Sequence, residues 1–345
     1  QGYTVDQIAM VAIEPKTHFI KMVVGGVDYE DSQFNRAMQA YRQTGSSFKP
    51  FVYYAALASG RYQPHALIDD TSVSYPNGGA VYTPRNYDGS FWGPITLTTA
   101  LAHSRNIPAI RLGQEVGLDQ VIELCRTLGF TSPMQAVPSM PLGALEVTPL
   151  EMANAFATFA SEGWHADPSL IVQVTNGEGE LLLQNLPNPN LVLDPNATRQ
   201  LTTMLAAVIN EGSGALAALD RPAAGKTGTT DSARDVWFVG YVPELATAVW
   251  LGNDNNEPLG REATGGDLAA PVWRAFMQQA LNHTQSIPTG GYMGEPLGNL
   301  GNEALPPELE SHQVPRPYPD ATTLPSGDNP TMGNDLVPPI PTAPN

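Results

Sequence analysis

The chain has 345 residues, 42% of them hydrophobic, enough to bury one large core or a core with a smaller lobe. Its net charge of −17 comes from 34 acidic against 17 basic residues, and the basic ones are scattered. Phosphate backbones are held by clustered Lys and Arg, so nucleic acid is excluded as a partner and the acidity is read as solubility.

In chain order, residues 7–13 and 19–24 are rich in β-formers and flank the turn residues Glu14-Pro15-Lys16-Thr17, with Gly25-Gly26 ending the second run. A β-hairpin is predicted there. After the Gly45-Ser46 step a helix is predicted over 47–58, ending at Gly60. Further helices are predicted over 97–103, 118–128, 149–161 and 196–210, the last opened by Asp194-Pro195 and closed by Glu211-Gly212. Strand signals return at 223–230, 236–242 and 245–251, and a helix over 270–281 closes the compact part. Two strands, many helices, then three strands and a helix, without regular alternation, indicate an α+β fold.

The compact domain is therefore expected to span 1–283. Over 284–345 Pro and Gly become frequent and hydrophobic periodicity is lost. This tail is expected to be extended or disordered, a solvated spacer more than a binding segment. The sequence has no apolar run long enough to cross a membrane and no signal peptide, and Gln1 stands close to a strand. An excised piece whose targeting region is missing is expected. The single cysteine, Cys125, lies in an apolar helical stretch and reads as a core residue, not a catalytic thiol.

The chain contains four lysines, and two of them fall in patterns that carry chemistry. Ser46-Ser47-Phe48-Lys49 puts a hydroxyl and an amine three residues apart on one face at a helix start. A serine hydroxyl is a weak nucleophile until a base takes its proton. Lysine serves as that base only when neutral, and burial beside a second cation lowers its pKa toward that state. Unpaired N–H groups of a first helical turn can stabilise an oxyanion beside Ser46, and Pro50 is tolerated in such a turn.

Lys226-Thr227-Gly228-Thr229, on a predicted strand, offers a cation, two hydroxyls and a backbone N–H to a substrate carboxylate and an oxyanion. Gly228 would let a substrate backbone come close. The blander reading is an edge strand with an exposed lysine. In Ser104-Arg105-Asn106, Ser104 suits a proton relay and Asn106 a grip on a substrate amide. The blander reading has these residues capping the helix that follows Pro108. Chance would give Ser-x-x-Lys about 0.2 times, Lys-Thr-Gly about 0.03 times and Ser-x-Asn about once, so the weight lies on all three in order.

Other chemistries fare worse. The six histidines form no metal-ligand spacing, and His103 beside Ser104 is a weak candidate where lysine is the base. Gly-x-Ser-x-Gly is missing around Ser46, and Gly225-Lys226-Thr227 lacks the upstream glycine of a phosphate-binding loop.

Ser-x-x-Lys, a Ser-x-Asn element and Lys-Thr-Gly, in this order, are the elements of penicillin-binding proteins and class A β-lactamases. The sequence resembles the transpeptidase domain of class A penicillin-binding proteins over roughly residues 5–282. The likeness extends through Phe34-Asn35-Arg36-Ala37, Arg42-Gln43-Thr44-Gly45-Ser46-Ser47-Phe48-Lys49-Pro50, Asn86-Tyr87-Asp88 and Ala100-Leu101-Ala102-His103-Ser104-Arg105-Asn106. It continues in 142–150, in Ala224-Gly225-Lys226-Thr227-Gly228-Thr229-Thr230 and in 235–241. Thr44 stands where proline is expected and His18 where glycine is expected, with slight local effects anticipated from each.

The resemblance implies a penicillin-binding/β-lactamase-like α+β fold: a five-stranded antiparallel sheet flanked by helices, with an all-helical lobe and a cleft between lobe and sheet. It implies an acyl-enzyme on Ser46 with Lys49 as base, Ser104 as relay and Lys226 as a catalytic cation. Asn106, Thr227, Gly228 and Thr229 would bind substrate. No cofactor and no metal are implied. The implied partners are peptidoglycan stem peptides and β-lactam antibiotics, with a glycosyltransferase domain in the full-length protein. Membrane attachment would come only through an N-terminal anchor not in this sequence. The implied location is extracytoplasmic, in the periplasm or on the outer face of the cytoplasmic membrane. Rival readings are a D,D-carboxypeptidase, a β-lactamase-like hydrolase and a non-catalytic β-lactam-sensing domain. A class A β-lactamase needs a carboxylate for deacylation, and neither Glu146 nor Glu151 sits in the Glu-x-x-Leu-Asn pattern.

Overall fold

A computed structural model of the chain describes residues 2–282. The expected tail, 284–345, lies outside the described residues.

Five strands form one antiparallel sheet: β1 (Gln7–Ile13), β2 (Ile20–Val24), β3 (Ala224–Thr229), β4 (Asp235–Val242) and β5 (Leu245–Gly252). Their order across the sheet is β3-β4-β5-β1-β2, so the first hairpin adds to the outer edge of the last and β3 is left as the opposite edge. The five strands and their partition, two early and three late, match the sequence expectation to within a residue or two.

Both faces of the sheet are covered, which explains why its strands read as apolar runs without clean alternation. Ala9, Val11, Ile13, Trp237, Val239, Tyr241, Ala246, Ala248 and Trp250 share one core. Met10, Ala12, Val236, Phe238, Val249 and Leu251 belong to the other.

The first core is built with α1 (Lys49–Ala58), α5 (Pro149–Ala160) and α6 (Pro195–Asn210). Helix α1 has buried residues on every side, as a helix in the middle of a domain must. Phe51 is its anchor, with ring centroids 5.1 Å from Phe48, 5.4 Å from Phe130, 5.6 Å from Phe159 and 6.0 Å from Phe156. Helix α5 starts with a reciprocal capping box between Thr148 and Glu151. Helix α6 starts at Pro195, where the Asp194 side chain accepts the Ala197 N–H at 2.7 Å. The second core is closed by α7 (Ala270–Ala280), whose Trp273 lies 5.1 Å from the Phe238 ring and donates Nε1–H to the Thr247 carbonyl at 3.1 Å.

The lobe beside the sheet holds α2 (Leu97–Ala102), α3 (Asn106–Val116) and α4 (Leu118–Thr127). It also carries short ladders absent from the sequence reading. Leu67–Asp70 pairs with Gly93–Thr96, and Tyr75–Asn77 pairs with Ala80–Tyr82. The second is a tight hairpin whose two central residues, Gly78 and Gly79, both have positive φ, a turn signal legible in the sequence. A further hairpin, Gln173–Thr175 with Leu181–Gln184, projects exposed Val174, Leu181, Leu182 and Leu183. No described helix is long and apolar enough to cross a membrane.

His18 departs from its anticipated slight effect. It has the positive φ that glycine would adopt easily, 57°, and it is fully buried. Its Nδ1 lies 2.7 Å from Asn154 Oδ1 on α5 and its Nε2 lies 3.0 Å from the Trp164 carbonyl. The imidazole thus ties the first hairpin to α5, and burial pushes its pKa down. Cys125 is buried in the first core, as expected, and burial raises its thiol pKa.

Trp273→Ala should cost about 3–5 kcal/mol of unfolding free energy, since it empties a site in the second core. Chemical denaturation read by far-UV circular dichroism measures the loss.

Candidate active site

The serine turn is a 3₁₀ segment, Gly45–Phe48, that runs directly into α1. The predicted helix start at 47 is therefore two residues early, and Pro50 occupies its first turn as expected. The two serines of the turn have different fates. Ser47 is buried and donates its hydroxyl to the Thr44 carbonyl at 2.7 Å, closing the turn. Ser46 is half-buried and lines a cleft of about 920 Å³.

The cleft lies between the lobe and edge strand β3. Ser104 and Asn106 line it on the lobe side, Thr227 and Thr229 on the strand side. The strand and the serine turn touch through backbone. Gly45 has φ 52°, and a methyl group there would overlap the Thr229 carbonyl. A methyl on Gly228 would sit 2.5 Å from the Thr44 carbonyl and 2.9 Å from Ser47 Oγ. Gly143 meets the Gly45 backbone from the other side. Gly228 is thus required by the protein's own chain crossing behind it, a different reason from the expected approach of a substrate backbone. Thr44, at φ −79°, is buried; proline would suit that φ but would lose the N–H that Thr44 donates to the Leu145 carbonyl at 3.4 Å, and the Thr44 hydroxyl has no partner among the described residues.

Beneath the cleft floor the two motif lysines converge on one hydroxyl. Lys226 Nζ is 2.9 Å from Ser104 Oγ, and Lys49 Nζ is 3.2 Å from it. Lys49 Nζ also donates to the Ser104 carbonyl at 2.5 Å and to Asn106 Oδ1 at 2.8 Å. None of its hydrogen bonds among the described residues goes to Ser46. Lys226 Nζ donates further to the Thr227 carbonyl at 3.0 Å and to Thr227 Oγ1 at 3.2 Å, and Thr227 Oγ1 is 2.7 Å from Ser213 Oγ. Lys226 is fully buried, which excludes the exposed-lysine alternative.

Burial pushes Lys49 well below the usual lysine range, the Lys226 charge adds to the fall, Arg105 adds less, and Asp70 opposes it. Burial alone pushes Lys226 down to about 7. A neutral amine beside Ser104 Oγ can accept the hydroxyl proton while the other, protonated, donates to the same oxygen.

Helix α3 begins at Asn106, two residues before Pro108, and neither Ser104 nor Asn106 caps it. Asn86 does so from 20 residues away. Its Oδ1 accepts the N–H groups of Asn106 at 2.8 Å and Ile107 at 3.3 Å. Asn106 Nδ2 donates to the Arg85 carbonyl at 2.8 Å, which aims Oδ1 at Lys49 and leaves one N–H and one lone pair for the cleft.

On the strand side, the Thr230 N–H donates to the Asp235 carbonyl. Amides alternate in direction along a strand, so the Thr229 N–H points away from β4, toward the serine turn. Thr229 Oγ1 accepts the Gly265 N–H at 3.0 Å from a π-helical turn, Gly265–Ala269, that precedes α7. Its hydroxyl proton is thereby free for the cleft. Sequence reasoning missed Asn86, Asp70, Ser213 and Gly265. Only Asn86 carried a signal, as part of the Asn86-Tyr87-Asp88 block. His103 lines the cleft with its ring 5.2 Å from that of Trp92. Glu151 is spent on Thr131, Ser132 and Thr148 and does not line the cleft.

A five-stranded antiparallel sheet covered on both faces, with serine, lysine and Lys-Thr-Gly elements meeting at a cleft beside its edge strand, defines the penicillin-binding/β-lactamase-like class. Comparison with known proteins narrows this. Residues 8–278 match the family described as the penicillin binding protein transpeptidase domain, and the chain belongs to that family. It is 41% identical over 273 residues to penicillin-binding protein 1A of Aquifex aeolicus, covering 78% of this chain and 37% of that protein. It is 38% identical over 290 residues to penicillin-binding protein 1A of Neisseria meningitidis, covering 81% and 36% respectively. The chain thus spans little more than a third of the length of these curated relatives. Among solved structures it is similar to penicillin-binding protein 1A of Haemophilus influenzae (TM-score 0.77, 30% identity, 81% of this chain and 48% of that one). It is also similar to PonA1 of Mycobacterium tuberculosis in complex with penicillin V (TM-score 0.73, 26% identity, 83% and 81%).

Gly45→Ala and Gly60→Ala separate crossing from conformation. Both glycines have positive φ, but open space surrounds Gly60. Gly60→Ala should cost about 1 kcal/mol. Gly45→Ala should cost roughly 2 kcal/mol more, because strand and turn must move apart. Paired urea titrations give the difference.

Proposed function

We propose that this domain is a serine D,D-transpeptidase that cross-links peptidoglycan stem peptides through an acyl-enzyme on Ser46 and is acylated there by β-lactams. The observation that carries the reading is the pair of buried lysines meeting at Ser104 Oγ under the cleft that Ser46 lines. Two ammonium groups so close and so buried favour one neutral member, and a neutral lysine is the base a serine nucleophile needs.

In this reading Lys49 exchanges one of its contacts for the Ser46 hydroxyl and takes its proton. Ser46 Oγ bonds to the carbonyl carbon of the penultimate D-alanine. The backbone N–H groups of Ser46 and Thr229 hold the developing oxyanion. Thr227 and Thr229 bind the terminal carboxylate, beside Gly228 and with the Lys226 charge beneath them, and Asn106 orients the peptide. The C–N bond then breaks, and the proton passes from Lys49 through Ser104 to the departing D-alanine amine. An amine from a neighbouring stem attacks the ester and releases Ser46. A β-lactam follows the same path, but its leaving nitrogen stays tethered.

The transferase reading is favoured over a β-lactamase-like hydrolase. Neither candidate carboxylate, Glu146 or Glu151, lines the cleft, and Glu151 is locked in a helix cap. The work site is extracytoplasmic, since the substrate is, and residues 1–283 form the catalytic unit. The full-length protein carries a glycosyltransferase domain and an N-terminal membrane anchor.

Intact mass after incubation with penicillin tests the nucleophile. Ser46→Ala should show no adduct and Ser47→Ala should still show one. Equal labelling of both ends the assignment. The pH dependence tests the base. Acylation is present above the Lys49 pKa and is lost as pH falls through it. Lys226→Gln removes a cation that holds that pKa down, so its acid limb should move to higher pH in rapid-quench measurements at saturating penicillin.

A further inference from the structure

We propose that Asp70 and Arg105, joined through Asn86, are positioning residues that hold Ser104 and Asn106 against Lys49 and so set the rate of acylation. The inference rests on the acyl-enzyme reading of Ser46 and Lys49.

The need for such a device lies in the backbone. Ser104 has φ 55°, a left-handed conformation that a residue with a side chain adopts only when its surroundings impose it. The Ser104 carbonyl and Asn106 Oδ1, on either side of Arg105, are two of the three groups holding the Lys49 amine. Relaxation of this turn would carry both away from it.

Arg105, buried between them, points the opposite way. Its Nε donates to Asp70 Oδ2 at 2.9 Å, one Nη to Asp88 Oδ2 at 2.9 Å, and the other Nη to the Ser90 carbonyl at 2.6 Å. The guanidinium also lies 4.3 Å from the Trp92 ring centroid. Asp70 has no exposed surface. Its Oδ2 accepts the Trp92 N–H at 3.1 Å as well, and its Oδ1 accepts Asn86 Nδ2 at 2.7 Å. Asn86 Oδ1 in turn receives the first two amides of α3. One carboxylate thus fixes the Ser104–Asn106 turn at two points, its middle through the Arg105 guanidinium and the helix start at Asn106 through Asn86. All its partners are donors, so an amide in its place puts N–H against N–H on one side.

Charge gives the same residue a second effect. The charged groups that act on Lys49 come from three elements: Lys226 on β3, Arg105 at the start of α3, and Asp70 on the strand Leu67–Asp70. Tyr53, one turn further along α1, is buried and stays protonated, its pKa raised by burial and then by Asp70. Asp70 is the anion of the group and favours the protonated form of Lys49. Its loss lowers the Lys49 pKa and moves the acid limb of acylation to lower pH. Arg105→Lys keeps the charge and loses the fork.

The test compares wild type, Asp70→Asn, Asp70→Glu and Arg105→Lys in penicillin acylation. The acylation rate constant at saturation, the dissociation constant of the non-covalent complex and the pH profile are measured on the folded fraction. Asp70→Asn should lower the saturating rate about 10- to 100-fold with the dissociation constant held within about threefold. Its acid limb should move to lower pH, and Asp70→Glu should return the limb toward the wild-type position. Arg105→Lys should lower the rate with the limb unmoved. Where Asp70→Asn fails to fold, Arg105→Lys decides. Wild-type rates per folded molecule in Arg105→Lys, or an unmoved limb in a folded Asp70→Asn, overturn the proposal. Failure of the wild type to acylate at Ser46 would instead overturn the reading on which it rests.

Discussion

The site depends on a backbone crossing. Edge strand β3 lies directly on the turn that carries Ser46, with no side chain between Gly45 and Thr229 or between Gly228 and Thr44. Without that contact the two halves of the site would be two separate surfaces. The crossing also explains why Ser46 sits in a 3₁₀ segment ahead of its helix. Gly45 must adopt a positive φ to bring the chain under the strand, and the regular helix begins only once Lys49 has entered the core. The phenylalanine cluster around Phe51 then holds α1 in place, so the position of the serine is inherited from packing two residues past Lys49.

The second constraint is electrostatic. Two lysines are buried within reach of one hydroxyl, an arrangement that stability alone would not select. The cost is spread over hydrogen bonds to carbonyls and hydroxyls, and over one buried carboxylate behind the guanidinium of Arg105. Burial lowers both amines from the usual lysine range, and neighbouring charges act further on Lys49. The lobe therefore supplies more than a wall to the cleft. It contributes a polar frame, from Asp70 through Asn86 to the start of α3, that opposes the strain at Ser104.

The large elements were legible because their signals are local. Sheet strands buried on both faces gave apolar runs such as 236–242, and α6 announced itself through Asp194-Pro195. Ser46, Lys49 and the 226–229 segment were legible because their spacing is improbable in a chain with four lysines. What escaped was set by distant partners. Asn86 caps a helix 20 residues away, which no local pattern encodes, and the same separation hid the true start of α3. Asp70 follows another aspartate in a short strand and looks like a solvated acidic pair until the fold puts Arg105 against it. Gly228 was identified correctly as a position needing no side chain, yet for a reason only the tertiary crossing reveals. His18 looked like a tolerated departure because its partners, Asn154 and Trp164, lie more than a hundred residues on.

The lysine distribution has a practical corollary for anyone attaching this molecule to a surface. Of its four side-chain amines, Lys49 and Lys226 are sealed inside the domain, while Lys16 and Lys21 are both exposed on the first hairpin. Amine-directed coupling of side chains will grip the folded domain by that single corner. A sensor chip or bead loaded in this way carries molecules of nearly uniform orientation, each with its cleft untouched by the coupling chemistry.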